Sequence, residues 1–378
     1  MIVVSFFFFI YILAILIFII GFDKVPEFKS KNTDPKTGFT VIIPFRNEAQ
    51  HLPNLIKSIR KIDYPSNLVE YIFVDDESTD NSIQILHNQI SQLGLDKSKI
   101  AISIIKNCRS SNSPKKDAIT TALNTAKNNW IVTTDADCIL PEKWLLTFDN
   151  YIQQNDCNMI VAPVTYKATS HFLHQFQVLD FLSLQASTVS GFGLKNPFLC
   201  NGANLAYRKK IFTKVNGFEN NNSIASGDDI FLFEKFLKDD KHGVHYLKSN
   251  DVLVQTSPLN SISEVVQQRI RWASKTANYT LNFGKLIGTI VLLGNGSIAI
   301  LPVLIFFKII PISLVFFYFL TKLLFDYFLI QKIGKCYQQK FSFIDYLKSS
   351  LVYPYFSIYI FTMSVFNSYQ WKERTFKK

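Results

Sequence analysis

The segment WIVTTDAD, residues 130–137, places an apolar, β-rich run directly before two aspartates. Similar runs precede it along the chain, and stretches with helix-like hydrophobic spacing separate them. Near-continuous apolar strands that alternate with helices are typical of a parallel α/β sheet covered on both faces. The predicted strands are FTVIIP (39–44), EYIFVD (70–75), IAISII (100–105) and WIVTTD (130–135), with helices near 47–60, 80–93 and 115–128.

Composition limits the class of protein. The 378 residues carry 40 Lys and Arg against 29 Asp and Glu, a net charge of +11, and 48% of them are apolar while 18% are charged. High hydrophobicity with low charge excludes a disordered chain. The five scattered cysteines contain no CxxC pair and favour neither a zinc ribbon nor a disulfide framework. A membrane protein with one large folded domain fits these values.

The positive charge has two possible partners, nucleic acid and anionic lipid. The basic residues are scattered, and no nucleic-acid recognition motif is present. We therefore predict no nucleic-acid partner and attribute much of the excess charge to attraction by anionic lipid.

The N-terminal segment 1–22 is long and apolar enough to cross a bilayer and contains no charge. It lacks the basic start and the cleavage site of a signal peptide, so an uncleaved transmembrane anchor is predicted. Lys24, Lys29 and Lys31 follow it, and the positive-inside rule then places the next domain in the cytoplasm. Residues 23–38 are interpreted as a linker. These features suit an integral protein of a bacterial inner membrane.

Two further apolar regions lie in the last third of the chain. Residues 286–330 predict two spans, either joined near Lys308 or broken at the glycines of 294–296. The run 349–367 has basic residues on both flanks, so it is a span, a re-entrant segment or an interfacial helix. The predicted divisions are a C-terminal membrane region over 283–367 and a basic tail over 368–378.

Asp135 and Asp137 stand two positions apart at the end of a predicted strand, so their side chains are expected on the same face. Two neighbouring carboxylates repel each other unless a positive group lies between them. Mg²⁺ or Mn²⁺, with diphosphate oxygens completing its shell, satisfies this requirement. Surface loops also contain this pattern, but ligands of parallel sheets bind beyond the strand ends, which favours a metal site.

Two other acidic pairs are candidate functional groups. Asp75 and Asp76 follow a predicted strand, and we expect one of them to contact a ligand while residues 78–80 cap the next helix. Asp228 and Asp229 begin a helical segment, where acids ordinarily complement the helix dipole. A functional carboxylate there would be a base that takes a proton from a hydroxyl group.

The segment 261–282 predicts an amphipathic helix in the membrane surface, opened by a capping box of Ser261 and Glu264. Its polar face offers a guanidinium suited to phosphate and an indole suited to stacking on a sugar ring. Alternatively, the indole of Trp272 only anchors the helix at the interface. The apolar face comprises Ile262, Val265, Val266, Ile270, Ala273 and Ala277, and the polar face Gln268, Arg271, Trp272 and Lys275.

In their order these motifs resemble a family 2 glycosyltransferase with the GT-A fold, over roughly residues 39–275 and in the membrane layout, with 39–260 as the glycosyltransferase domain. The resemblance implies an α/β protein with a Rossmann-like, mostly parallel sheet, one N-terminal and two to three C-terminal transmembrane helices. Glu77 and Pro114 stand where the family usually has glycine. The residues that the resemblance assigns to the nucleotide and the donor are Pro44, Arg46, Glu48, Asp75, Asp76, Lys115 and Asp135.

The resemblance also implies the remaining site residues. Asp135 and Asp137 match the metal-binding DxD motif, and Asp229 stands at the position of the base, with Asp228 as second choice. Residues 268–272, QRIRW, fit the family's QxxRW motif. The residues assigned to the diphosphate and the acceptor are Gln268, Arg271, Trp272, Asn201 and Gly202.

The implied activity is inverting transfer from a nucleotide-diphosphate sugar, with uridine the family's commonest base and Mg²⁺ or Mn²⁺ as cofactor. The small number of predicted spans favours a lipid or lipid-linked acceptor at the cytoplasmic face. A processive or short-chain polysaccharide synthase, with or without a partner subunit, is the alternative. A membrane scaffold that has lost its activity would keep the same fold.

Overall fold

The computed structural model describes residues 2–31, 33–95, 100–167, 169–221, 224, 226–366, 369–371 and 374–376. The chain divides into two compact units. The sheet unit comprises Pro26–Thr165 and Cys200–Ser257, and the helical unit comprises Met1–Val25, Tyr166–Leu199 and Pro258–Lys378.

The elements are numbered in chain order. The strands are β1 (Phe39–Phe45), β2 (Val69–Asp75), β3 (Ala101–Lys106), β4 (Trp130–Thr133), β5 (Cys138–Ile139), β6 (Met159–Val161), β7 (Val164–Tyr166), β8 (Leu205–Arg208), β9 (Val244–Tyr246), β10 (Val254–Thr256), β11 (Tyr369–Trp371) and β12 (Arg374–Phe376). The helices are α1 (Ile2–Asp23), α2 (Leu52–Arg60), α3 (Ser82–Gln92), α4 (Pro114–Thr125), α5 (Trp144–Gln154), α6 (Phe172–Gly193), α7 (Lys209–Lys214), α8 (Asp228–Asp239), α9 (Ile262–Ser274), α10 (Asn282–Ala299), α11 (Leu301–Phe306), α12 (Ile312–Cys336) and α13 (Phe343–Phe366).

A seven-stranded sheet in the order β3-β2-β1-β4-β8-β6-β9 organises the sheet unit. Strand β1 is parallel to β2 and β4, β2 to β3, and β6 to β9, whereas β8 is antiparallel to both of its neighbours. Nearly every residue of β1 and β2 is buried, as their uninterrupted apolar runs predicted. The α/β class and the predicted order of strands and helices are confirmed.

The carboxyl ends of β1 to β4 meet at one edge of the sheet because these strands are parallel. The DxD motif lies beyond this edge, and the strand that was predicted to reach Asp135 ends two residues earlier. Strand β4 stops at Thr133, the last residue that pairs with either β1 or β8. Asp135 and Asp137 therefore occupy the connection to β5, and the two-residue alternation of a strand does not orient their side chains.

The helical unit contains long apolar helices. Among the described residues, four helices are long and apolar enough to cross a membrane. One lies at the N-terminus and three in the C-terminal part, which agrees with the predicted number. The second and third of them are joined near Lys308, and not broken at the glycines of 294–296. The ranges are Ile2–Asp23, Asn282–Phe306, Ile312–Cys336 and Phe343–Phe366.

Two parts of this unit differ from the sequence analysis. Helix α6 was not predicted, and although its residues fall within the predicted domain 39–260, it belongs to the helical unit, where it packs against α1, α12 and α13. In the predicted basic tail, β11 and β12 pair as an antiparallel hairpin. The other residues of the tail lie outside the described part of the chain.

Helices α1 and α12 run in the same direction. Near their N-terminal ends the hydroxyl groups of Ser5 and Tyr318 are 2.6 Å apart, and near their C-terminal ends Lys332 Nζ lies 2.7 Å from Asp23 Oδ1. Between these contacts the Tyr11 hydroxyl donates to Asp326 Oδ1 at 2.6 Å. Lys322, one turn before Asp326 on the same helix, is the ion-pair partner of that carboxylate.

Helices α1 and α6 cross at a pair of glycines. A Cβ atom on Gly193 would lie 1.8 Å from the carbonyl oxygen of Gly21, a distance that no side chain can tolerate. One turn earlier on α6, the Ser190 hydroxyl donates to the carbonyl oxygen of Phe18 at 2.7 Å. Glycine at these two positions is thus required for the close approach of the helices.

Candidate active site

A lysine lies among carboxylates beyond the end of β4. Lys115 Nζ is 2.6 Å from Asp135 Oδ1 and 3.3 Å from Asp228 Oδ2. Burial by itself would lower the pKa of Lys115, but the charges of Asp135 and Asp228 outweigh that effect and raise the pKa above its ordinary value. The ammonium group is therefore charged at every physiological pH. We call Lys115, Asp135, Gly202, Asp228 and Asp229 the acidic cluster.

Local structure explains how two members of the cluster are placed. Lys115 lies in the first turn of α4, which begins at Pro114. Proline is favoured at this helical position because its missing N–H would have no helical partner. Asp228 is the first residue of α8, and it follows Gly227, whose φ of 82° belongs to the left-handed region that favours glycine.

Gly202 brings the predicted acceptor segment into the cluster. Its N–H donates to Asp229 Oδ2 at 3.2 Å. A Cβ atom at this position would lie 3.1 Å from Asp228 Oδ2 and 3.5 Å from Lys115 Nζ, so a side chain would crowd both charged groups. The neighbouring Asn201 uses its side-chain oxygen to accept the N–H of Ala203 and caps a short turn.

The second aspartate of the DxD motif is held by another strand. Asp137 Oδ2 accepts a hydrogen bond from Thr256 Oγ1 of β10 at 2.9 Å. No group of three or more His, Cys, Asp and Glu side chains among the described residues is arranged to hold a metal ion. Two carboxylates nevertheless fit Mg²⁺ or Mn²⁺, since Mg²⁺ commonly binds one or two carboxylates and takes its other ligands from water and substrate phosphates. Lys115 supplies part of the positive charge that the sequence analysis assigned to a metal alone.

The predicted nucleotide loops are tied together by Arg46. Its Nη1 donates to the carbonyl oxygens of Asp76 at 2.8 Å and Glu77 at 2.9 Å. Glu77 has a φ of 58° and Asn47 a φ of 52°, both in the left-handed region. Such conformations cost about 1–2 kcal/mol per non-glycine residue. This backbone explains why glycine is usual in the family where this chain has Glu77.

The two aspartates after β2 are already engaged within these loops. Asp75 Oδ1 accepts the N–H of Ser78 at 3.1 Å, and Asp76 Oδ1 accepts from Asn107 Nδ2 at 2.7 Å. Arg109 Nη1 lies 3.5 Å from the same oxygen of Asp76. Asn107 and Arg109 were not predicted as site residues, although Asn107 directly follows β3 and Arg109 lies two residues further on.

The remaining predicted nucleotide residues lie along the same strand end. Pro44 belongs to β1, opposite Val74 in β2. The backbone N–H of Glu48 donates to Ser82 Oγ at 2.8 Å. Asp80 accepts the N–H of Ser82, the first residue of α3, at 3.0 Å, and thus provides the cap expected from residues 78–80.

Lys116 is a further residue that the sequence analysis missed. Its side chain is buried, and Nζ donates to the carbonyl oxygens of Asn221 at 2.7 Å and Ile224 at 2.8 Å. The same ammonium lies 4.9 Å from the centre of the Phe231 ring. Lys115 and Lys116, adjacent in the first turn of α4, therefore hold the start of α8 in two different ways.

Helix α9 is the predicted amphipathic helix and belongs to the helical unit. The capping box of Ser261 and Glu264 is confirmed, and α9 ends at Ser274. Of the predicted apolar face, Val265 is buried within the protein, whereas Ile262 is 69% exposed. Ile262 is the first helical residue, where the turn extends beyond the packed part of the helix. The side chain of Ala277 lies outside the described residues.

The sheet is mostly parallel, and a lysine lies among carboxylates beyond its strand ends. The family model described as "Glycosyl transferase family group 2" matches residues 130–330, more than half of the chain, and the model "Glycosyl transferase family 2" matches residues 40–215. The chain belongs to glycosyl transferase family group 2, which confirms the class that its motifs predicted.

Two proteins illustrate the likeness. Poly(ribitol-phosphate) beta-N-acetylglucosaminyltransferase TarS from Staphylococcus aureus is 26% identical over 123 residues, which are 32% of this chain and 20% of TarS. The match thus spans about a fifth of the relative's length. The mannosyltransferase PcManGT from Pyrobaculum calidifontis, solved in complex with GDP-Man and Mn²⁺, is 14% identical with a TM-score of 0.58, and the alignment covers 96% of this chain and 97% of that one. At this identity the likeness concerns the fold.

Proposed function

We propose that this chain transfers a sugar, with inversion, from a nucleotide-diphosphate sugar to a lipid or lipid-linked acceptor at the cytoplasmic face of a membrane. The observation that carries the proposal is the acidic cluster, in which Lys115 contacts Asp135 and Asp228 and Gly202 contacts Asp229. It lies beyond the carboxyl ends of parallel strands, where ligands of such sheets bind.

The donor would bind at the strained loops. Asp75 or Asp76 would contact the nucleoside, and Arg46 keeps the two loops together through the carbonyl oxygens that follow β2. The GDP-Man complex of PcManGT supports a nucleotide-sugar donor in this fold. Uridine is proposed as the base because it is the family's commonest choice.

Asp229 is the proposed base. It would take the proton from the acceptor hydroxyl, whose oxygen attacks the anomeric carbon from the face opposite the diphosphate, and the bond to the diphosphate breaks. Asp228, the second choice for the base, lies 3.3 Å from the Lys115 ammonium. Asp229 accepts hydrogen bonds from the N–H groups of Gly202 and Ile230, which would fix its orientation.

The leaving diphosphate needs positive charge. Mg²⁺ or Mn²⁺ held by Asp135 and Asp137 would supply Lewis-acid stabilisation of that charge when bound. Lys115 stays protonated and contributes a fixed positive charge, and Arg271 is proposed to contact the diphosphate. Fixed charges of this kind cost no reorganisation during the reaction.

The acceptor is proposed to meet Gln268, Trp272 and the segment Asn201–Gly202. The parallel direction of α1 and α12 supports a cytoplasmic site. If both helices span, their C-terminal ends lie on the same side, and lysines lie at or just beyond each end, at 24, 29 and 31 and at 335 and 340. The positive-inside rule assigns that side to the cytoplasm.

A polymer acceptor is the second candidate. One observation favours it: the name of the relative TarS describes transfer to poly(ribitol-phosphate), a polymer. Lipid and polymer products differ in solubility, so a single experiment separates them.

The test uses the full chain purified in detergent. Sugar nucleotides with uridine and guanosine bases are incubated with Mg²⁺ or Mn²⁺, with and without total membrane lipid. The proposal requires release of nucleoside diphosphate that depends on Asp229 and rises with lipid, together with an extractable glycolipid. A water-soluble product with a distribution of chain lengths would favour the polymer. Silence with every donor would favour a scaffold.

A further inference from the structure

One charged side chain lies on the buried face of α9. Arg269 follows Val265 by four residues and Val266 by three, and is 6% exposed. A charge in such a place is costly unless it is paired and hydrogen-bonded. Arg269 is a variable position of the QxxRW pattern, and the sequence analysis gave it no role.

Arg269 is paired with an acid on α6. Its Nε lies 2.6 Å from Asp180 Oδ2, and both side chains are only 6% exposed. The charge of Asp180 also acts on the hydroxyl of Tyr353 on α13. Burial by itself would lower the pKa of Arg269, but Asp180 outweighs this effect and raises it. Asp180 therefore links α6 to α9 through one carboxylate.

The same guanidinium orients Gln268. Arg269 Nη1 donates to Gln268 Oε1, and the Tyr166 hydroxyl donates to that oxygen at 3.2 Å. A guanidinium has only donors, so the amide must turn its oxygen towards it. The NH₂ end of the amide is then left as the group that can donate elsewhere.

Arg269 also holds the indole of the motif. Its Cζ lies 4.3 Å from the centre of the Trp272 ring. Phe181 packs near the same indole, with ring centroids 6.1 Å apart and planes inclined at 44°. Phe181 is the neighbour of Asp180 in α6, so this helix supplies both the counter-ion of Arg269 and a second aromatic contact for Trp272.

We infer that Arg269 and Asp180 are positioning residues that set the amide of Gln268 and the indole of Trp272 for the acceptor. The inference rests on the proposed function, in which these two side chains bind the acceptor. The planar guanidinium meets a carboxylate, an amide and a ring at the same time. A lysine ammonium has neither a second nitrogen nor a flat face, and could not do so.

Asp180→Asn and Arg269→Lys test the inference in the full chain in detergent. The acceptor KM, the kcat of transfer and the hydrolysis of donor without acceptor are measured together. We expect the acceptor KM to rise about tenfold, the equivalent of one good hydrogen bond, while the donor KM and hydrolysis stay unchanged. If Asp180→Asn does not fold, the acceptor KM of Arg269→Lys, which keeps the positive charge, decides whether the pair positions the acceptor.

The double variant Asp180→Asn with Arg269→Gln separates positioning from stability. It removes both buried charges and keeps hydrogen-bonding groups, so it should recover the thermal stability of the chain but not the acceptor KM. Asp156→Asn is the matched control, because Asp156 pairs with Arg208 at 3.3 Å but is 99% exposed. Its kinetics should not change.

Two results would count against the inference in different ways. If the double variant regains the original acceptor KM together with its stability, or if neither single variant changes it in an active preparation, the pair is structural only. If the unaltered chain releases no nucleoside diphosphate from any donor, the proposed function itself fails, and the assignment to an acceptor fails with it.

Discussion

The sheet unit and the helical unit each contain an aspartate in contact with a cationic side chain at 2.6 Å. Lys115 and Asp135 in the sheet unit are 19% and 38% exposed, whereas Arg269 and Asp180 in the helical unit are both 6% exposed. Water weakens the first pair and leaves it able to exchange partners with a ligand. The second pair is buried away from water and ligands, so its role is to fix the side chains packed around it. Exposure, and not distance, separates a reactive ion pair from a structural one.

The largest effect is expected at the open cluster. Asp229→Asn should lower transfer by about 10²–10⁴-fold, because it removes the proposed general base, while nucleotide binding is retained. Transfer rates and nucleotide titration by calorimetry measure the two properties. Asp228→Asn is the matched comparison. If Asp229→Asn transfers sugar normally and Asp228→Asn does not, the base has been assigned to the wrong residue.

Replacing the cationic residue of each pair by alanine compares directly what the exposed pair and the buried pair contribute. Arg269→Ala leaves Asp180 buried and unpaired, and should destabilise the chain by about 3–5 kcal/mol. Lys115→Ala should change stability by about 1 kcal/mol or less, since its pair is partly exposed, yet lower transfer by about 10²-fold through the lost fixed charge. Thermal unfolding in detergent and initial rates give both values. Equal losses of stability would show that exposure does not separate the pairs.

A smaller effect on the transfer rate is expected from a side chain at Gly202. Gly202→Ala would place a Cβ 3.1 Å from Asp228 Oδ2 and should lower transfer roughly tenfold, because small displacements of reacting groups are costly. Gly296→Ala is the control in the helical unit, where a Cβ would meet nothing within 4 Å. An unchanged rate for Gly202→Ala would show that the cluster can move aside.

The smallest effect concerns the strained loop. Glu77→Gly should stabilise the chain by about 0.5–1 kcal/mol. The substitution removes the cost of a left-handed φ, and part of this gain is offset because glycine has a greater conformational entropy in the unfolded chain. Glu77→Gln keeps the strain and should leave stability unchanged, because the ion pairs of Glu77 with Arg46 and Arg109 are both 3.8 Å long and its side chain is 65% exposed. Thermal unfolding of the two variants side by side checks this. A loss of stability in Glu77→Gly would mean that the side chain contributes more than the strain costs.

The sequence predicted the position of an element well where the burial of its residues follows a simple pattern along the chain. Strands β1 and β2 are covered on both faces, so continuous apolar runs marked them to within a residue or two. The DxD motif was found by its residue types, but the end of its strand depends on pairing with β8, which no local pattern contains. The acidic side chains were therefore identified. Lys115 was identified as part of a separate motif, but its contact with Asp135 was not predicted.

Buried polar groups explain what the sequence analysis missed. Helix α6 buries Gln175, Gln177, Asp180 and Gln185 together with its apolar residues, so it shows no amphipathic stripe. Arg269 was overlooked because its partner Asp180 lies 89 residues away. Such residues look like surface residues until the partner is known, and only the folded structure brings the two together.

The contact between Tyr11 and Asp326 also bears on how the chain is made. The two residues are 315 positions apart. At a synthesis rate of about 5–20 residues per second, Asp326 leaves the ribosome roughly 15–60 s after Tyr11. Helix α1 must therefore persist for that time without this hydrogen bond, while Asp326 is made with Lys322 already one turn away. The late helix thus arrives with its charges neutralised, and the early helix completes its contacts only when synthesis is nearly finished.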